Sequence, residues 1–158
     1  MAEEEKAVNA TPRFLIRGQY IKDLSFENPH APNAVVKPDD KPEVNVDISL
    51  KAQRLDEQHF ELVLKAVAGA KTKATTIFMA ELDYAAVVQL INIPEERMEQ
   101  ILFIDCAAVL FPFARRILSD VTRDGGFMPL MLEPIDFLAL YARNKANEAK
   151  QAQETKAG

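Results

Sequence analysis

The side chains with chemistry to offer are few: two histidines, one cysteine, and paired acids at 39–40, 56–57 and 95–96. A thiol enzyme needs a thiolate, with a histidine to activate it and an acid to orient the histidine. Cys106 could supply the thiol, and His30 or His59 the base. Cys106, however, stands in an apolar stretch, where cysteine usually behaves as a small hydrophobe. His59 alternates with Glu61 on the polar side of a strand pattern. A thiol hydrolase stays open as an alternative, and Cys106→Ala would abolish its turnover. The paired acids fall in expected turns or at a helix start, where carboxylates are simply solvated. There is no Cys pair or His-x-x-x-His spacing for a metal. Asp124-Gly125-Gly126 lacks the glycine–lysine spacing of a phosphate loop. The expectation is a protein with no catalytic residue, no metal and no cofactor.

A second chemistry is collective. Period-two alternation marks four strands, and successive strand side chains point to opposite faces. From Phe14 to Glu27, one parity carries Phe14, Ile16, Gly18, Tyr20, Leu24 and Phe26, with Lys22 as an exception; the other carries Arg17, Gln19, Ile21, Asp23, Ser25 and Glu27. Alternation returns over 43–51, over 59–66 after a turn at Asp56–Gln58, and from Thr75 after a turn expected at Gly69 and Lys71. Taken together, the polar parities hold Asp23, Glu27, Glu43, Asp47, Glu61, Glu81 and Asp83 against Arg17, Lys51 and Lys65. One reading is a solvated sheet face that stays soluble through charge. The other is a docking surface for a basic partner, with Met79 as an apolar anchor among the acids.

The elements that must position this face follow from the rest of the chain. Four prolines within 28–42 forbid a helix or central strand and call for a long crossover. Pro94-Glu95-Glu96 opens a helical segment, since proline and acids suit the first turn. Val109, Leu110, Phe113, Ile117, Leu118 and Val121 make the apolar side of a longer helix over roughly 106–123, which Pro112 must start or kink and Gly125-Gly126 end. A last helix begins at Pro134-Ile135-Asp136 and turns polar from about 144. Strands followed by helices indicate an α+β domain: a four-stranded antiparallel sheet with two main helices packed on one face. Apolar residues nearly encircle 103–113, so that helix is buried on several sides, either within the chain or between subunits.

The 158 residues fit one domain, expected at 13–142, between a tail at 1–12 and a polar tail at 143–158. No apolar run reaches the roughly 20 residues of a membrane helix, which argues against membrane insertion. The net charge of −5 and the lack of a basic cluster argue against nucleic acid. One cysteine allows no internal disulfide, and the acidic start is unlike a secretory signal, so the expected compartment is the cytoplasm.

Three stretches then read together: Tyr20-Ile21-Lys22-Asp23-Leu24-Ser25-Phe26-Glu27-Asn28-Pro29 with Ala31-Pro32, then Leu110-Phe111-Pro112-Phe113-Ala114-Arg115, and Gly126-Phe127-Met128-Pro129-Leu130 with Leu132-Glu133-Pro134-Ile135-Asp136-Phe137. In order and spacing the chain resembles the SecB protein-export chaperones over about residues 13–142. The resemblance implies a homotetramer, a dimer of dimers with helices between sheets. It implies an ATP-independent holdase that binds non-native precursor polypeptides and delivers them to the motor SecA. The basic, zinc-bearing tail of SecA docks on the acidic sheet face in the family, and the matching positions here are Asp23, Glu27, Met79 and Glu81. The family's client groove runs between the crossover loop and the last helix, which points to Val36, Phe137, Leu140 and Tyr141. Ala80 and Leu82 on the fourth strand, with Cys106, Phe111 and Phe113 on the helix, are the expected assembly surface. The chain departs from some relatives in lacking a tryptophan in the crossover loop and in having Ala80 where a cysteine can occur. A SecB-like adaptor for one narrow client, such as an antitoxin, stays open beside the general role.

Overall fold

The computed structural model describes residues 11–33, 42–73 and 75–157. The alternating segments become four strands: β1 (Arg13–Glu27), β2 (Glu43–Arg54), β3 (His59–Lys71) and β4 (Thr76–Ile91). They pair antiparallel in the order β1-β4-β3-β2. β2, β3 and β4 follow one another through short turns, whereas the chain between β1 and β2 passes from one sheet edge to the other. Residues 34–41 of that crossover, Val36 included, lie outside the described residues.

The first tight turn forms because Asp56 accepts the backbone N–H groups of Gln58 (2.9 Å) and His59 (2.8 Å), an Asx turn. The second differs from its expected place. β3 runs on through Gly69 to Lys71, and the turn lies at Thr72–Thr75, closed by Thr72 N–H to the Thr75 carbonyl at 2.9 Å. Gly69 is not a turn residue. It leaves room for Met79 on the neighbouring strand, whose Sδ would lie 3.4 Å from an added Cβ.

β1 departs from simple alternation. Its pairing with β4 slips between Ile16 and Gly18 and again between Ile21 and Asp23, leaving Arg17 and Lys22 as extra residues. Each bulge moves the following side chains to the other face. Gly18 and Tyr20, expected on the apolar face, share rows with Val87 and Ala85 on the outer face, and Ile21 joins Tyr84 on the helix side. The second bulge restores Leu24 and Phe26 to the helix side and puts Asp23, Ser25 and Glu27 outside.

Helices cover one face only. α1 (Glu95–Gln100), N-capped by Pro94 with Glu95 and Glu96 in its first turn, passes without a break through a π-helical stretch at Ile101–Cys106 into α2 (Ala107–Asp124). α2 continues through Pro112, which faces solvent. Leu110, Ala114 and Leu118 of α2 pack on Leu62, Leu64, Leu82 and Val88 of the sheet, all with no exposed surface. Each buried leucine is worth roughly 1.5–3 kcal/mol. α2 ends where Gly125 and Gly126 donate to the Val121 and Arg123 carbonyls, and Gly126 takes φ +92°.

α3 (Phe137–Ala157) starts where the Asp136 carboxylate accepts the Ala139 N–H at 3.1 Å. It continues well past residue 144, where the sequence reading let it dissolve into a tail. Ala, Lys, Glu and Gln dominate this stretch and favour helix without a core. Lys145 also ties it to Glu99 of α1 at 2.7 Å. No helix among the described residues is long and apolar enough to cross a membrane.

Two of the three recognisable stretches meet at one place. Phe26 stacks on Phe78 with centroids 5.9 Å apart, and Phe78 contacts Phe127 at 5.0 Å. Asn28 Nδ2 donates to the Gly125 carbonyl at 2.9 Å, and an added Cβ on Gly125 would meet Phe26 Cζ at 2.3 Å. This cluster clamps the end of β1 and the end of α2 together, beneath the outer-face position of Met79.

Candidate functional site

The outer sheet face carries no helix and divides into two ends. At the β2–β3 turn end, charges are spent on one another. Lys22 Nζ donates to Glu61 at 2.5 Å, and Tyr20 donates to the same carboxylate. The ammonium first and the phenol second hold Glu61 below the ordinary carboxylate range. The same hydrogen bond pushes the Tyr20 phenol up to about 12, with burial and the Glu61 charge adding to it. Arg17 Nε donates to Gln89 at 2.8 Å, and Gln89 donates to Gln58 at 3.0 Å. Glu61, counted among the face acids from its parity, is thus committed within the chain.

At the other end the acids stand open. The rows across the sheet run Glu27–Met79–Gly69–Asn45, then Ser25–Glu81–Val67–Asp47, then Asp23–Asp83–Lys65–Ser49. The structure therefore gathers Asp23, Glu27, Met79 and Glu81 within neighbouring positions of β1 and β4. All four are exposed, Met79 at 37%. None of the three acids makes an ion pair among the described residues. Asp23 beside Asp83 is a like-charge pair of the kind that destabilises a sheet. Unpaired acids around an exposed thioether can hold a cationic peptide and offer its apolar stems a surface. The sequence reading missed that Gly69, across from Met79, opens a cleft there.

The expected groove residues separate. Phe137 is buried, its ring edge-on to Phe111 at 5.8 Å. Leu140 packs against the core. Tyr141 is half-buried, 6.3 Å from Phe103, and lines a cleft with Leu50, Glu99 and Lys145. Val36 lies outside the described residues. The most exposed large apolar side chains among the described residues are ones the sequence does not single out: Met128 at 88%, Leu138 at 62% and Met131 at 60%. Alternation could have found Met131, since it sits between Leu130 and Leu132, which turn inward.

Of the expected assembly residues, Ala80, Leu82 and Cys106 have no exposed surface and Phe111 almost none, because sheet and helix close on them within one chain. Within the chain they belong to the core. Phe113 is the exception at 41% exposure, stacked on Tyr84 at 6.1 Å. Ile21 and Leu24 lie on the same helix-side face of β1, also exposed.

The thiol alternative does not survive. Burial, then the Asp105 charge, pushes Cys106 up to about 12, so almost no thiolate exists near neutral pH. The histidines are engaged elsewhere, His59 with Asp56 and His30 with the Thr75 hydroxyl.

The fold is a four-stranded antiparallel sheet with helices on one face and an open acidic face on the other. Residues 7–148 match the family model described as preprotein translocase subunit SecB. The protein-export protein SecB of Parvibaculum lavamentivorans is 48% identical over 82% of this chain and 77% of its own. The SecB of Rhodopseudomonas palustris is 42% identical over 91% of each chain. A SecB-like chaperone of Mycobacterium tuberculosis, solved with a peptide from the HigA1 antitoxin, matches with a TM-score of 0.65 at 19% identity, over 78% of this chain and 91% of that one. This last likeness is one of fold. The chain belongs to the SecB family, whose members are export chaperones and not enzymes.

Proposed function

We propose that the chain is an ATP-independent holdase of the cytoplasm. It binds non-native precursor polypeptides, keeps them competent for translocation and delivers them to the motor SecA, working as a homotetramer built as a dimer of dimers. One observation carries the division of labour: on a helix-free face Glu27 stands opposite Met79, Glu81 and Asp23 follow in the next two rows, and none of the three acids has an ion-pair partner among the described residues. That face suits the motor's basic tail. Clients, recognised by apolar segments that native proteins hide, suit a different surface. Met128, Met131 and Leu138 offer exposed apolar side chains for it, and Tyr141 keeps a cleft. Val36, Phe137 and Leu140 contribute there as expected lining or support. Apolar contact supplies affinity at roughly 25 cal/mol per Å² before ordering costs. Phe113, Ile21 and Leu24 are the assembly surface proposed from exposure.

The test is size exclusion with light scattering, using an unfolded export precursor, its native form and no nucleotide. A tetramer that co-elutes with the unfolded form alone supports the holdase reading, and a monomer that ignores both sinks it. In the same assay, Glu81→Lys should weaken SecA binding about tenfold and leave client binding unchanged. Equal loss of both would overturn the separation of surfaces.

A further inference from the structure

The acidic docking face is wider than its β1 and β4 residues. A shallow cleft of about 230 Å³ opens over β3, lined by Met79, Val67, Asn45 and Gly69, with Asp47 and Lys71 also along it. That is smaller than a drug-sized ligand's pocket and suits one side chain. It exists because position 69 has no side chain: an added Cβ would come 3.4 Å from Met79 Sδ and 3.6 Å from its terminal methyl. Asp47 is exposed, has no ion-pair partner among the described residues, and stands in one row with Val67 and Glu81.

We propose that this cleft is a second subsite of the docking face, taking one lysine or arginine of an extended basic segment. The aliphatic stem lies along Met79 and Val67 over Gly69, and the cationic head meets Asp47 while a second cation meets Glu81. The inference rests on the reading of this face as the motor's docking site and extends it to β2 and β3. Charge complementarity and the apolar walls together select the occupant: a long cationic side chain needs both. Spacing adds a sequence requirement. Asp47 and Glu81 are two strand spacings apart, about 10 Å, and side chains on one side of an extended chain recur every second residue at about 3.3 Å per residue, so the two cations must stand two or four residues apart, with their long stems taking up the difference. Lys71 along the cleft disfavours a third cation beside them.

Calorimetry with the full chain and a synthetic peptide of the motor's basic tail tests this. Gly69→Val fills the cleft with a residue that strands favour, so folding is kept; tetramer size and melting temperature check that. Asp47→Asn removes the charge alone. Each should weaken binding about fivefold, and Asp47→Asn should also reduce the salt dependence. Asp47→Glu should bind as the parent does. Loss on Glu81→Lys with no change on Gly69→Val or Asp47→Asn would overturn the subsite and leave the docking reading standing. No change on any of them would overturn both.

Discussion

Glu61 shows how one carboxylate can read as docking charge in a sequence and act as an internal tie in the fold. Its partners give it two opposite pH signatures. The Glu61 pKa is held below its ordinary 4.5, so the stabilisation from Lys22 and Tyr20 is complete above that value and is lost as pH falls through the lowered one. Tyr20 is raised from 10.0 to about 12, so its contribution is complete below pH 10 and is lost as pH climbs toward 12. Lys22 is nearly half exposed, which limits the ion pair to about 1 kcal/mol or less. Melting temperature against pH should show a limb at each end. Glu61→Gln should flatten the acid limb below about pH 4.5 and lower the alkaline one, whereas Tyr20→Phe should flatten the alkaline limb. Profiles parallel to the parent's would mean that the tie does not form in solution.

At the scale of elements, the link between α2 and α3 depends on one hydroxyl. Thr122 Oγ1 donates to the Leu118 carbonyl at 2.8 Å and accepts the Leu130 N–H at 2.9 Å, with no exposed surface. Met128 and Met131 project from the segment this bond holds. Thr122→Val keeps the shape and strands the Leu130 N–H, at a cost of about 1–3 kcal/mol. The Leu130 amide should then exchange faster and client binding should fall, with SecA binding intact. A Leu130 amide still protected would place the hold elsewhere. Such ties were not legible in the sequence, where Thr122 is one polar residue in a helical stretch. What was legible has a local cause: alternation placed all four strands, Pro94 and Gly126 placed helix ends, and an antiparallel register brought the acidic parities to one face, from which the family resemblance singled out Asp23, Glu27, Met79 and Glu81. What failed was non-local. The bulges at Arg17 and Lys22 reassign Tyr20 and Ile21 between faces, and no pattern within β1 announces them. Gly69 reads as a turn until its cross-strand neighbour Met79 is known. Polarity after residue 144 reads as a loose tail although its composition favours helix.

For the whole molecule, the proposed assembly and the proposed docking place opposite demands on charge. Each chain carries −5, so four copies bring about −20 into one particle (4 × −5). Like charge opposes assembly, and apolar contact at Phe113, Ile21 and Leu24 must outweigh it. Docking of a basic tail on Asp23, Glu27 and Glu81 gains from the same charge. Salt should therefore act on the two in opposite directions. Between about 0.1 M and 1 M ionic strength the Debye length falls from about 10 Å to about 3 Å, screening both effects. Across such a titration the tetramer should tighten, read by light scattering at low protein concentration, and SecA-tail affinity should fall, read by calorimetry. Phe113→Glu should shift the parent's tetramer toward smaller species most strongly at low salt, where the added charge is least screened. A tetramer that loosens with salt would mean that ion pairs between copies hold it, and Phe113 would then be an exposed ring with no part in assembly.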